Sequence, residues 1–437
     1  MDSAHAVGIG VILDVVYNHV GPDGNYLPHF SPDYFTDRYP NEWGKSFNFE
    51  LAHGCGAREL VLENASYWVR EFQLDGLRLD ATQSICDASR PHVLAQLATS
   101  VRAAAAPRRI ILVAENEPQH CELLQPVSAG GYDLDAIWND DFHHSIRVAL
   151  TGSHDGYLHD YRGRAQEFVS LAKYGFLFQG QHYFWQGKQR GTPALQQAAA
   201  RFVNYIQNHD QVANTLCGLR VHNVTSPGRY RVATALLLLA PQNPLLFMGQ
   251  EFCASAPFPF FADCKEELAD GVGKGRRSFL QQFSQFASPQ AQARVPDPCD
   301  PATFESAKLS FWERRSNQHS YALHRELLRL RAQDPVISQS SLHSFDGAVL
   351  GERAAVLRWF DADSGDRLLL INFGEQLELR PVPEPLLAAP AHRQWHLLFS
   401  TDDTRYGGLG ARAPLHEGTW TIPPECAVLL HAQCAST

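Results

Sequence analysis

The chain of 437 residues lacks the features that would tie it to a membrane or to nucleic acid. No apolar run reaches the ~18 residues that a membrane-spanning helix needs. Residues 1–10 contain neither the basic segment nor the apolar segment of a secretory signal. The formal net charge is −10 and no basic block occurs, which argues against nucleic acid or an anionic lipid surface as a partner.

Paired cysteines and metal-ligand spacings are also missing. The nine cysteines are scattered singly, without a Cys-x-x-Cys pair. We therefore expect reduced thiols in a cytoplasmic protein, since disulfides are rare in that compartment. The neighbouring pairs His143-His144 and His209-Asp210 lack the i, i+4 spacing of a helical zinc site. The sequence thus predicts no metal site and no cofactor.

Six apolar segments are rich in Val, Ile, Leu and Phe, as expected of strands buried on both faces of a parallel sheet. They lie near residues 9–16, 76–81, 110–115, 135–139, 202–207 and 244–248. Four of them contain or deliver polar groups at their carboxyl ends. These groups are Asp14 with Tyr17-Asn18-His19, then Arg78 with Asp80, then Glu115, and finally Asn208-His209-Asp210.

Catalytic groups at the carboxyl ends of successive parallel strands are typical of a (β/α)8 barrel. Carboxylates that converge at such a mouth suit glycoside hydrolysis, where one is the nucleophile and another the general acid and base. A single Asp at a strand end is more often a helix cap or a turn residue. That interpretation does not explain four such clusters along one chain.

The four clusters resemble, in order and spacing, the four short regions of the α-amylase family of glycoside hydrolases. The flanking residues are most similar to its malto-oligosyltrehalose trehalohydrolase branch. The segments that carry this similarity are Asp14–Leu27, Trp138–His144, Pro244–Phe252, Phe258–Phe261, Lys265–Leu268 and Gly275–Arg277. Ala262-Asp263-Cys264, where a Thr-Asp-His type of triplet is expected, and Asn116-Glu117 after Glu115 depart from the family's pattern. The resemblance implies a retaining hydrolase that cuts the α-1,4 bond next to the trehalose unit of maltooligosyl trehalose. It further implies a maltooligosyl trehalose synthase as the pathway partner that supplies this substrate.

By this resemblance, Asp80 is the nucleophile, Glu115 is the acid and base, and Asp210 is the third catalytic carboxylate. The chemistry agrees, because Arg78 and Asp80 share one face of a strand and the guanidinium keeps the carboxylate ionised. An apolar strand end would instead favour a protonated Glu115. The substrate-binding residues implied by the resemblance are Arg78, His19, His209, Tyr17 and Trp138. Asp14 and Asn18 are expected to brace the loop.

The fold class implied is an α-amylase-type (β/α)8 TIM barrel that lacks its first two strands, followed by an antiparallel β-sandwich. Residues 1–335 would form the barrel and 336–437 the sandwich, since short alternating runs begin near residue 337. Only about ten residues precede the Asp14 motif, which belongs on the third strand of the family's barrel. This predicts a fragment or an internal start. The alternative is a native minimal barrel with open strand edges.

Two rival functions remain open at this level. A glucan branching or debranching enzyme shares all four regions and differs in the loops after Asp14, Glu115 and Trp138. An inactive fragment that binds glucan is favoured by the missing strands and opposed by the complete catalytic set.

Overall fold

The computed structural model describes residues 1–21, 24–41, 44–50, 55–339 and 344–434. Its centre is a six-stranded sheet in which every neighbouring pair is parallel and the strands follow chain order. The strands are β1 (Ile12–Val15), β2 (Gly76–Leu79), β3 (Ile111–Ala114), β4 (Ala136–Trp138), β5 (Phe202–Tyr205) and β6 (Asn243–Leu245). All six predicted strands are confirmed; each is shorter than predicted, and β6 begins one residue earlier, at Asn243.

This sheet is the six-stranded part of a (β/α)8 barrel, so the predicted fold class is confirmed. Within the described residues, β1 and β6 each pair with a single neighbour. Ile12 on β1 is consequently 46% exposed, whereas Leu77 and Leu79 on β2 are fully buried. In this part of the chain, each of the two outer strands therefore has one edge without a partner strand.

The described residues contain thirteen α-helices, of which Asp2–His5, Leu27–Phe30, Pro289–Gln292, Pro301–Ser306 and Glu313–Ser316 are short and are not labelled; eight others are labelled α1 to α8. They are α1 (Cys55–Glu71), α2 (Val93–Ala105), α3 (Asp140–Thr151), α4 (Ala165–Tyr174), α5 (His209–Ala213), α6 (Pro227–Leu239), α7 (Glu266–Leu280) and α8 (Gln318–Gln333). Local residues decide where helix α2 begins. Pro91 disfavours helical backbone at Arg90, and His92 caps the helix by accepting a bond from Leu94 N–H at 3.1 Å.

The C-terminal region contains two antiparallel sheets. Their strands are β7 (Phe345–Gly351), β8 (Ala354–Trp359), β9 (Arg367–Asn372), β10 (Leu377–Leu379), β11 (Arg393–Ser400), β12 (Leu415–His416), β13 (Thr419–Ile422) and β14 (Cys426–Cys434). The larger sheet has the order β7-β8-β9-β14-β11 and the smaller one β10-β13-β12. The predicted sandwich is confirmed. The predicted boundary at 335/336 stays a prediction, and residues 340–343 beside it lie outside the described residues.

Alternation along β9 explains why this strand is buried on both sides. Leu368 and Leu370 point towards the smaller sheet and pack near Trp420. Leu369 and Ile371 point the other way, into the cluster that contains helix α6 and the inner face of α8. The sandwich is therefore joined to the barrel helices through a shared apolar core.

Among the helices of the described residues, none is both long and apolar enough to span a bilayer.

Cys264 and Cys299 form a disulfide across a sequence separation of 35 residues. The prediction that all cysteines are thiols is wrong for this pair. The spacing of cysteines along the sequence could not reveal this disulfide, because the segment after α7 folds back to bring Cys299 to Cys264.

Candidate active site

One guanidinium joins three carboxylates at the carboxyl end of the sheet. Arg78 Nη1 donates to Asp14 Oδ1 and to Asp80 Oδ1, at 2.7 Å each. Arg78 Nη2 lies 2.8 Å from Glu115 Oε2. The parallel register sets Asp14 opposite Arg78 on β1 and β2, and β3 delivers Glu115 directly after Ala114. The Arg78 side chain is only 6% exposed, so water screens these contacts weakly.

Asp80 is held from two directions. Its Oδ1 accepts from Arg78, while Asn18 Nδ2 donates to its Oδ2 at 2.8 Å and to its backbone oxygen at 2.9 Å. Asp14 and Asn18, which were predicted to brace the loop, thus contact the Arg78–Asp80 pair itself. The Asp80 carboxylate keeps a fixed orientation and is 24% exposed, which leaves one side open to a ligand.

Glu115 is partly buried, with 21% of its side chain exposed, and two contacts offset only part of the cost of ionising it there. Burial raises the pKa of its carboxyl group to about 8, against the opposing charge of Arg78 and a bond from Ala81 N–H at 3.0 Å. The carboxylates of Asp210 and Asp80 act in the same direction as burial. Glu115 therefore holds a proton at neutral pH, next to a second carboxylate that is oriented by a cation.

His209 and Asp210 lie in the first turn of the short helix α5. Asn208 caps this helix, because its side-chain oxygen accepts from Gln211 N–H at 2.9 Å. Asp210 Oδ1 lies 3.5 Å from His209 Nε2, and the Asp210 side chain is 58% exposed. Its charge reaches Glu115, as the raised pKa of that group reflects. The third predicted carboxylate is thus near the pair but more open than either member.

Three aromatic or imidazole groups border these carboxylates. The Trp138 ring lies 4.3 Å from the Arg78 guanidinium carbon and 6.4 Å from the His209 ring. His19 is half-buried, and burial lowers its pKa against the opposing charge of Asp80. The indole therefore lies between Arg78 and His209, and His19 lies within electrostatic reach of Asp80.

Tyr17 is located differently from the other predicted residues. Its ring is buried in the core, and its hydroxyl donates to Asn64 on α1 at 2.8 Å. Its role as a sugar contact stays a prediction, while its observed contact fastens the end of β1 to helix α1.

Sequence reasoning missed a second polar network beside Glu115. Arg190 is buried and forms ion pairs with Glu117 and, at 3.7 Å, with Asp140. The Tyr205 hydroxyl donates to Asp140 Oδ1, and burial raises the pKa of Asp140 to about 6. Asp140 follows β4 and Tyr205 ends β5, so strand-end position was an available signal for both. Nothing in the sequence around Arg190 pointed to it.

Chemically, the site offers a carboxylate bonded to a cation, a second carboxyl group whose pKa is raised to about 8, and imidazole side chains that can donate or accept hydrogen bonds. Throughout the described part of the chain, no group of three or more His, Cys, Asp or Glu residues could hold a metal ion. An ionised carboxylate beside a carboxylic acid is the arrangement that glycosidases use for nucleophilic attack with protonation of the leaving group.

Known proteins with similar sequences and folds carry related names. Residues 343–420 match the family model described as a domain of unknown function, DUF3459. The malto-oligosyltrehalose trehalohydrolase of Deinococcus radiodurans is 39% identical over 94% of this chain and 66% of its own length. That of Rhizobium sp. (strain M-11) is 34% identical over 95% of this chain and 67% of its own. This chain thus spans about two thirds of the length of these relatives.

A solved structure gives the same picture of the fold. It is a crystal structure of a protein from Salmonella typhimurium, provisionally named an alpha amylase. It superposes with a TM-score of 0.82 at 31% identity, covering 98% of this chain and 69% of the other.

Proposed function

Because the chain belongs to the malto-oligosyltrehalose trehalohydrolase family of α-amylase-type glycoside hydrolases, we propose that it acts on maltooligosyl trehalose. The reaction is hydrolysis of the α-1,4 bond between the maltooligosaccharide and the trehalose unit, which releases trehalose. The single observation that carries this proposal is the bridge formed by Arg78, which binds Asp80 at 2.7 Å and lies 2.8 Å from Glu115.

In the first step, an Asp80 oxygen attacks the anomeric carbon of the sugar on the maltooligosaccharide side. The bond to the trehalose oxygen breaks, and Glu115 transfers its proton to that oxygen. Burial of Glu115 provides this proton at neutral pH, since its pKa lies near 8. The products of this step are free trehalose and a glycosyl ester on Asp80.

In the second step, water attacks the same anomeric carbon and Asp80 leaves as a carboxylate. Glu115, now ionised, accepts a proton from the water and so returns to its starting state. Arg78 stabilises the Asp80 carboxylate as it departs. His19, His209 and Asp210 accept or donate bonds to the ring hydroxyls as charge develops at the anomeric carbon.

Product analysis tests this function against its rivals. The chain is incubated with maltotriosyl trehalose and with linear amylose, and the products are separated by anion-exchange chromatography. We expect maltotriose and trehalose from the first substrate and little turnover of the second. Branched glucan from amylose without release of trehalose would identify a branching enzyme. Binding of maltotriosyl trehalose without turnover would identify a glucan-binding protein.

The substrate class also defines the neighbouring reaction. A maltooligosyl trehalose synthase has to supply the substrate, and a stable complex between the two enzymes is not required. Cytoplasmic localisation belongs to the same proposal and is tested by fractionation of the source cells with an antibody to this chain.

A further inference from the structure

Arg276 on helix α7 contacts the end of the short helix α5, which carries Asp210 in its first turn. Its Nη2 donates to the backbone oxygen of Ala213 at 2.7 Å. Ala213 is the last residue of α5, so this oxygen is one of the carbonyl groups that a helix end leaves without an internal partner. A cation at the C-terminal end also interacts favourably with the helix dipole.

The position of this guanidinium is fixed by two rings. Its central carbon lies 5.2 Å from the Phe260 ring and 5.4 Å from the Phe279 ring. Burial lowers the pKa of Arg276 to about 10, and the charge of Asp210 is the leading effect in the opposite direction. The cation is therefore held in place, largely shielded from water, and within electrostatic reach of the Asp210 carboxylate.

Val212 and Ala213 of helix α5 are buried, and polar contacts hold its start and its middle. The helix comprises five residues, and such a short helix is not stable by itself. Asn208 caps its start, and the Tyr157 hydroxyl donates to Gln211 Oε1 at 2.5 Å. The Asp210 carboxylate itself has His209, at 3.5 Å, as its ion-pair partner among the described residues. Arg276 is thus the contact that closes the far end of the helix.

We propose that Arg276 is a positioning residue, which holds α5 by its bond to Ala213 and thereby presents Asp210 to the sugar in the productive orientation. The inference rests on the proposed function and assigns a role to a residue outside the strand-end clusters. Arg276 acts through Asp210 and does not itself touch the reacting atoms. Misplacing a group of this kind by about 1 Å can lower turnover by about 100-fold.

Arg277 provides a matched control on the same helix. It points away from α5 and, with Lys274 and Gln281, lines an open surface groove. Substitution of Arg276 and Arg277 by Met removes the same charge from adjacent positions and leaves a similar apolar stem. Arg276→Lys restores a cation at the position that faces Ala213.

Kinetics with maltotriosyl trehalose provide the first test. Arg276→Met should lower kcat by about 10- to 100-fold and change KM by less than about threefold, because the transition state loses a correctly placed Asp210. Arg276→Lys should recover most of the loss, and Arg277→Met should leave both constants unchanged. In an Asp210→Asn background, Arg276→Met should cost less than about threefold further. A full additional loss in that background would contradict action through Asp210.

Hydrogen exchange of amides 208–214 provides a second test that does not depend on turnover. Arg276→Met should accelerate exchange in this segment, and Arg277→Met should not. Equal exchange in wild type and Arg276→Met overturns the inference whatever the kinetics show. Absence of turnover in the wild-type chain would count against the proposed function, and the exchange comparison would then decide the inference about α5.

Discussion

At the scale of single residues, the site depends on two carboxyl groups in different surroundings. Asp80 accepts a bond from Arg78, whereas desolvation raises the pKa of Glu115 to about 8. Asp80→Asn and Glu115→Gln keep the side-chain shape and remove attack or proton transfer, so each should lower kcat by at least about 100-fold. Chromatographic assay of trehalose release measures this. The surface variant Asp270→Asn should match wild type, and near-normal turnover by Asp80→Asn would refute its role as nucleophile.

The raised pKa of Glu115 has a defined consequence for pH dependence. Its protonated form is the acid, so kcat/KM should fall as pH rises through about 8. The folded state binds this proton more tightly than the unfolded state, whose Glu115 titrates near the ordinary value of 4.5. The contribution of this proton to the free energy of unfolding is therefore fully present below pH 4.5 and is lost as pH rises towards 8. Urea denaturation should show that the free energy of unfolding declines less between pH 4.5 and 8 in Glu115→Gln than in wild type. An equal decline in the two proteins would contradict the raised pKa of Glu115.

At the scale of secondary-structure elements, close packing of the central strands requires glycine at position 76. A Cβ there would lie 2.5 Å from the Ile111 backbone oxygen and 2.9 Å from Ile12 Cγ1. Gly76→Ala should therefore destabilise the fold by about 1–3 kcal/mol, as overpacking commonly does. In Gly271→Ala on α7 the new methyl meets nothing within 4 Å, so a gain of about 0.5–1 kcal/mol is expected. Urea denaturation measures both, and equal stability of the two variants would contradict the packing argument.

The elements also show which parts of the fold a sequence can predict. The six strands follow from apolar runs, because burial on both faces of a sheet imposes this pattern directly. The start of a helix such as α2 does not, since the cap His92 and the backbone restriction at Pro91 decide where it begins. The Cys264–Cys299 disulfide and the Arg190 network are contacts between distant segments. No local pattern encodes contacts of that kind.

At the scale of the whole molecule, the site is assembled from residues that are far apart in the chain. Arg78, Asp80 and Glu115 were predictable because the carboxyl ends of parallel strands meet at one edge of the sheet. Tyr17 was predicted at the same edge, yet its hydroxyl bonds to Asn64 in the interior. Strand position alone therefore predicts which groups gather near the site, and the packing of each side chain decides which of them face a ligand.

The central claim is a double displacement in which Asp80 becomes covalently attached to the sugar. Retaining enzymes of this kind hold their two carboxyl groups ~5–5.5 Å apart, and inverting enzymes ~6.5–9.5 Å apart. Asp80 and Glu115 contact the two terminal nitrogens of the same Arg78 guanidinium. This contact is compatible with the shorter separation, that of a retaining enzyme. Two successive inversions at the anomeric carbon restore its starting configuration.

Proton NMR of the first-formed sugar tests this claim most directly. Hydrolysis of maltotriosyl trehalose is followed from the first minutes, before the new reducing end of maltotriose mutarotates. We expect the α-anomer to appear first and the β-anomer to grow in slowly by mutarotation. Initial formation of the β-anomer would mean a single displacement by water and would contradict the assignment of Asp80 as nucleophile.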